Sequence, residues 1–325
     1  MELILNSFGT TLAKQHNSFV IKHKDGIQHV PADQIKTITI GRGAQITSDA
    51  ALLAVEMGIE VLFVDNSGMP VGRLWSVKYG SISNIRRNQL DFTLSPKAVT
   101  WIKNVVIQKL DNQIALLLSL MPTDDTSKTL VNAAINRITD YKTKIKMLKG
   151  EVVSDIAPSL RGWEGAASKT YFEVIAALMP EKYKFNGRSQ HPATDVFNCL
   201  LNYAYGILYG RIEGALIKAG IDPYVGVFHR DDYNRPVLVF DIIEIYRVWA
   251  DYVVINLCMQ QAVTPECYSI RPDGSFWLEN LGRRIVIQSM NDYLNEIIML
   301  NGLERTRLTH IELYAHQLAK TFEKA

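Results

Sequence analysis

Three side chains close together in sequence, and a fourth far upstream, could carry chemistry. In the stretch DPYVGVFHRDDYNRPVLVFDIIEIYR, residues 222–247, His229 sits among apolar residues, and Asp241 and Glu244 follow within an apolar run. The two acids are three residues apart, so on a helix they leave from one face. The flanking Val237, Leu238, Val239, Phe240, Ile242 and Ile243 draw that face inward. A histidine and carboxylates in apolar surroundings are costly unless positive charge lies between them, and a divalent ion supplies it economically. Upstream, in LRGWEGAASKTYFEVIAAL (residues 160–178), Glu164 shares a helical face with Ala167, Ser168, Tyr171, Ile175 and Leu178. A solubilising glutamate belongs on the opposite side, with Lys169 and Glu173. Glu164 therefore reads as a metal ligand or a tuned acid/base, or as a buried acid paired with Arg161 or Lys169.

Two carboxylates favour a hard ion, Mg²⁺ or Mn²⁺, and an imidazole nitrogen tilts the choice toward Mn²⁺. Histidine plus two acids is also a catalytic zinc pattern. Against a zinc peptidase stand the lack of a His-Glu-x-x-His helix and of cysteine near these residues. Asp241 is either a ligand or the acceptor that orients His229.

These residues need a scaffold. The chain has 325 residues, 47% hydrophobic and 21% charged, enough for two domains of ordinary globular composition. Its net charge of +2 makes any polyanion site a local patch. Cys199, Cys258 and Cys267 form no CxxC pair, so neither a disulfide framework nor a zinc finger is expected. The MELILNS start lacks a basic export signal, and the most apolar stretch, residues 248–259, is broken by Asp251 and Asn256. The reading is a cytoplasmic protein with no membrane span.

Residues 1–80 read as β-rich, with strands at 2–5, 11–14, 18–23, 28–30, 35–40, 60–64 and 70–75 and a helix at 48–57. Asp25-Gly26 marks a hairpin, as does the turn Asn66-Ser67-Gly68. Residues 81–95 read as a linker. Residues 96–325 change to helical period, with helices at 96–121, 127–149, 160–178, 193–219, 245–262, 282–301 and 309–323. Gly220 ends the fourth of these before Asp222-Pro223. Lys142, Lys146 and Lys149 form a basic stripe, either a solvated face or a phosphate contact. Lys169, Tyr171, Arg235 and Arg247 are further candidates for phosphate contact, each with a local ion pair or plain packing as the alternative.

The ordered set RGWEGAASKTYF, HPATDVFNCLLNYAYGILYGRIEGALIKAGIDPYVGVFH and RPVLVFDIIEIYR, preceded by ITIGRGAQITSDAALLAVEMGIEVLFVDNSGMPVG, resembles the CRISPR-associated endonuclease-integrase family ("Cas-one") over roughly residues 1–300. The turn after His229 departs from the family pattern: it reads Arg-Asp-Asp-Tyr-Asn where many members place a glycine. Asn234 tolerates the same left-handed backbone, and Asp231 and Asp232 add acids there. The resemblance implies an α+β fold, with an N-terminal β-sandwich-like domain that forms a homodimer and a larger all-α catalytic domain. It implies one Mg²⁺ or Mn²⁺ held by Glu164, His229 and Glu244, with Asp241 close behind. It further implies double-stranded and branched DNA as substrate and the small second CRISPR adaptation protein as partner. The reaction implied joins protospacer 3′-hydroxyls to the CRISPR repeat by transesterification. A transposon-type integrase, a non-catalytic DNA scaffold with a structural metal, and a small-molecule metallohydrolase are the competing readings.

Overall fold

Alternating apolar and polar residues build the first unit of the chain as strands. These are β1 (Glu2–Leu5), β2 (Thr11–Gln15), β3 (Ser18–His23), β4 (Gly26–Pro31), β5 (Thr37–Ile40) and β6 (Gln45–Ile46). Helix α1 (Ser48–Glu56) interrupts, capped by Thr47, whose hydroxyl accepts from Ala50 N. Strands β7 (Glu60–Val64) and β8 (Pro70–Leu74) follow. The computed structural model describes residues 2–35, 37–64, 70–74, 82–120, 122–190, 192–229 and 235–323. The expected turn at 66–68, the strand end at Trp75, the acids Asp231 and Asp232, and Asn234 lie outside them.

One sheet runs β4-β3-β2-β6 and the other β1-β5-β7-β8. In the second, β1, β5 and β7 are parallel and β8 is antiparallel. Leu12, Phe19 and Val30 from the first sheet share a core with Leu5, Ile38, Ile40 and Val61 from the second, and with Leu53 of α1. The β-sandwich-like reading is met. The two-residue β6 is too short for alternation to reveal.

The chain divides at Ser81/Ile82 into this unit and a helical one. The expected linker at 81–95 is corrected. Most of it is helix α2 (Ile82–Thr93), because Ile85, Gln89 and Phe92, at positions i, i+4 and i+7, are all buried. Its long helices are α3 (Pro96–Ser119), α4 (Asp125–Met147), α5 (Val153–Leu178), α6 (Val196–Lys218) and α7 (Val237–Met259). Then come the hairpin of β9 (Tyr268–Ile270) and β10 (Phe276–Leu278), and helix α8 (Asn280–Asn295). A second hairpin, β11 (Ile297–Leu300) with β12 (Leu303–Thr306), precedes α9 (Arg307–Glu323). The helical unit is thus not purely α. The helix expected to reach residue 301 stops early, because Ile297–Leu300 pairs with Leu303–Thr306 across the Asn301-Gly302 turn, where both residues have positive φ. Among the described residues no helix is long and apolar enough to cross a membrane.

Two of the long helices carry polar residues on their inward stripes. On α3 the buried positions run Ile102, Val106, Lys109, Gln113, Leu117. On α7, Asp241, Glu244, Val248 and Asp251 follow at helical spacing, and Asp241 and Asp251 are fully buried. Gly220, with φ +81°, ends α6 and starts the loop that returns to α7. Gln89 of α2 clamps that loop: its Nε2 donates to Asp222 O at 2.8 Å and Val225 O at 3.0 Å, and its Oε1 accepts from Asp222 N at 3.1 Å. Replacing it by leucine strands all three backbone groups. Gln89→Leu is expected to destabilise the helical unit by roughly 2–4 kcal/mol, measured as a lowered midpoint in chemical or thermal unfolding.

Candidate metal centre

Lys109 of α3 is the hub of the site. Its ammonium is ion-paired with Glu164 Oε1 of α5 and, at 2.5 Å, with Glu244 Oε2 of α7. Glu164 Oε1 also accepts from Ser168 Oγ at 2.9 Å, one turn along α5. Glu244 Oε1 accepts from Arg247 Nε at 2.8 Å. Glu244 Oε2 is buried, with the Lys109 ammonium as its partner. Burial works against both charges. It pushes Lys109 down, but Glu244 and Glu164 outweigh it and hold the ammonium above its ordinary value. It pushes Glu244 up, but Arg247 and Lys109 bring the carboxyl to about 2.

Asp241 anchors the neighbouring loop. Fully buried, it accepts backbone N–H bonds from Val227 at 2.8 Å, Phe228 at 3.0 Å and His229 at 3.2 Å. Its Oδ1 also lies 2.7 Å from His229 Nδ1. With the Nδ1 proton donated to Asp241, the lone pair of Nε2 is left free. Burial pushes His229 down, and the bond and charge of Asp241 raise it above its ordinary value, helped by the Glu244 charge. Arg161 of α5 donates to Phe228 O at 3.2 Å and covers the Phe228 ring. Gly226 lets the backbone fold this tightly, since a Cβ there would lie 2.3 Å from His229 O.

The expectation that Glu164, His229 and Glu244 meet around one cation needs partial correction. Glu164 and Glu244 do converge on a single positive charge, but that charge is Lys109. Among the described residues no three His, Cys, Asp or Glu side chains stand close enough to share an ion. The His229 ring is held by Asp241, and the Lys109 ammonium together with the Arg247 guanidinium already balances the two acids. The alternative pairing of Glu164 with Arg161 or Lys169 is also set aside: Arg161 serves the His229 loop, and Lys169 is 79% exposed, 4.0 Å from Glu173.

A second buried acid lies beyond Glu244. Asp251 accepts from Tyr171 Oη at 2.8 Å and Tyr205 Oη at 2.6 Å. Burial raises its pKa against those two bonds. The Arg247 guanidinium lies 4.7 Å from the Tyr205 ring centre and that of Arg188 5.4 Å. Between these groups and the Lys109 pair opens a cleft of about 260 Å³, lined by Gln113, Ser168, Phe172, Arg188, Gln190 and Tyr205 among others. The DNA-contact expectations divide accordingly. Tyr171 is fully buried under Asp251 and is removed from the set. Lys142 is paired with Asp111 at 2.5 Å. Arg247 faces the cleft while holding Glu244. Lys146, Lys169 and Arg235 are exposed.

Residues 3–292 match the family model described as CRISPR associated protein Cas1. The chain belongs to the Cas1 family. A relative named CRISPR-associated endonuclease Cas1 1, from Archaeoglobus fulgidus, is 29% identical over 330 residues, covering 98% of this chain and 95% of its own. Among solved structures, a casposase bound to integration product has a TM-score of 0.77 at 20% identity, covering 99% of this chain and 90% of that one. A Cas6-RT-Cas1–Cas2 complex has a TM-score of 0.78 at 21% identity, covering all of this chain and 35% of that one. At those identities the two structures speak for the fold.

For this Cas1-family chain, the residues that sequence reasoning overlooked are Lys109, Gln113, Arg188 and Asp251. Lys109 and Gln113 lie on the apolar stripe of α3, and Asp251 lies ten residues past Asp241 on that of α7. The test that singled out Glu164 finds them too. Tyr171→Phe should lower unfolding free energy by about 1–2 kcal/mol through the lost bond to Asp251. Lys169→Ala should change it by less than about 0.5 kcal/mol. Urea denaturation of the two variants checks the contrast.

Proposed function

We propose that this Cas1-family chain is a metal-dependent DNA endonuclease and integrase of CRISPR adaptation. On this reading it joins protospacer 3′-hydroxyl ends to the CRISPR repeat by transesterification. The observation that carries the reading is the convergence of Glu164 and Glu244 on one buried cation. Two carboxylates from different helices, beside an imidazole whose Nδ1 is tied to a buried aspartate, are a donor set that suits Mg²⁺ or Mn²⁺. Glu164, Glu244 and, by a movement of its ring, His229 would hold that ion. When bound, such an ion supplies charge neutralisation at the attacking and departing oxygens of a phosphodiester.

The chain's own residues do the remaining work. Ser168 fixes the Glu164 carboxylate and Arg247 fixes that of Glu244. Asp241 fixes the tautomer and direction of His229. Arg188 and Arg247, stacked on Tyr205, put positive charge along the cleft wall where a phosphate backbone passes. The exposed Lys146, Lys169 and Arg235 extend contact to double-stranded and branched DNA. The N-terminal unit serves as homodimer interface, and the small second adaptation protein, Cas2, is the partner. Support for that partner comes from the fold's likeness to a Cas6-RT-Cas1–Cas2 complex. A transposon-type integrase is the second reading, favoured by the similarity to a casposase.

The deciding experiment is strand joining of short duplex DNA into a supercoiled CRISPR plasmid with Mg²⁺, with Mn²⁺ and with EDTA. Joining is expected with either ion and to vanish with the chelator. Glu164→Gln and His229→Ala should each lower it at least about a hundredfold, while DNA affinity stays within severalfold of the parent. Full joining in EDTA refutes the reading. Loss of DNA affinity in step with activity points instead to a structural metal. Equal joining into a plasmid without a repeat favours the transposon-type enzyme. DNA affinity itself should fall steeply as salt rises.

A further inference from the structure

Lys109 occupies the place a divalent ion would need. Both it and a divalent ion cannot stand between Glu164 and Glu244, since two cations a few ångströms apart in a buried setting repel strongly. On α3, one turn beyond Lys109 and on the same face, lies Gln113. Gln113 is buried, and its Oε1 has no hydrogen-bond partner among the described residues. Lys109 and Gln113 line the same cleft. A buried carbonyl without a protein partner is costly, and Gln113 Oε1 offers an acceptor one turn away to an ammonium displaced from the two acids. The flexible four-carbon stem of lysine lets its ammonium reach a residue at i+4.

We propose that Lys109 is an internal counter-cation that competes with the divalent ion for the Glu164–Glu244 pair, and that ion binding moves its ammonium onto Gln113 Oε1. In the ion-free protein Lys109 keeps the two carboxylates from repelling each other, and so keeps α5 and α7 packed on α3. In the loaded protein the ion takes over that role, and the orphaned carbonyl is satisfied. Divalent affinity is thereby set by an exchange of partners and not by the carboxylates alone. The inference rests on the metal reading above.

The test is Mn²⁺ binding to the full chain without DNA, read from the electron paramagnetic resonance signal of free Mn²⁺. Lys109→Met should tighten Mn²⁺ at least about tenfold. Its ion-free unfolding temperature should fall, and Mn²⁺ should restore it. Gln113→Leu should weaken Mn²⁺ by roughly threefold or more when Lys109 is present and leave it unchanged in the Lys109→Met background, the non-additivity that marks a coupled pair. Should Lys109→Met not fold, Lys109→Gln keeps N–H donors for the carboxylates and tightens Mn²⁺ in the same direction. Unchanged or weaker Mn²⁺ binding on removing the lysine charge overturns the competition. An equal effect of Gln113→Leu in both backgrounds overturns the exchange. Absence of Mn²⁺ binding in every variant, at millimolar ion, sinks the metal reading itself and the inference with it.

Discussion

Two carboxylates drawn into a helical core from different helices repel each other and lose their hydration, and both penalties fall on the packing that brought them there. In this chain a single lysine resolves both. Lys109 reaches from α3 to Glu164 on α5 and to Glu244 on α7, so three helices are tied at one point by charge as well as by apolar contact. Around it the polar order is strict. Ser168 and Arg247 donate to the same two carboxylates, and Arg247 and Lys109 together lower the pKa of Glu244 against its burial. Pairs of this sort add less to stability than their geometry suggests, because desolvation consumes much of the attraction. Their value lies in presenting charge at a defined place.

Asp241 does the corresponding work for the loop. Three backbone N–H groups and one imidazole converge on it, and that holds His229 within reach of the Glu244 charge. Arg161 ties the loop to α5, the helix that carries Glu164, and Gln89 ties it to α2. The geometry of the candidate ligands is therefore inherited from four helices and one glycine-dependent loop. Asp251 with its two tyrosines repeats the device a few turns away and closes the far wall of the cleft.

Much of this is legible in the sequence for a definable reason. Alternation yields β1, β3 and β7 with their boundaries, and helical period locates the long helices, though α5 and α7 begin several residues earlier than expected. Glu164 stands out because an acid on the apolar side of its own helix needs a partner. The identity of that partner does not follow from proximity in sequence: Arg161 and Lys169 are neighbours along the chain, whereas Lys109 is 55 residues away and meets Glu164 only through packing of α3 on α5. Lys109 and Gln113 are nonetheless marked by position, as polar residues on an otherwise apolar stripe. Helix α2 reads as linker because its polar residues, Asn88 and Asp91 among them, dilute the Ile85, Gln89, Phe92 spacing. The first strand of the hairpin, residues 297–300, is absorbed into a helix because Ile297 and Met299 are exposed, leaving no buried face to set a period.

On the reading proposed above, the Glu164–Glu244 pair takes one divalent cation, and Lys109 holds that place when no ion is bound. Crystals grown with Mn²⁺ and measured at the manganese absorption edge test it most directly. An anomalous peak is expected between the two carboxylates, with the Lys109 side chain displaced from them. A map with the lysine still seated between Glu164 and Glu244, and manganese elsewhere or absent, would contradict it.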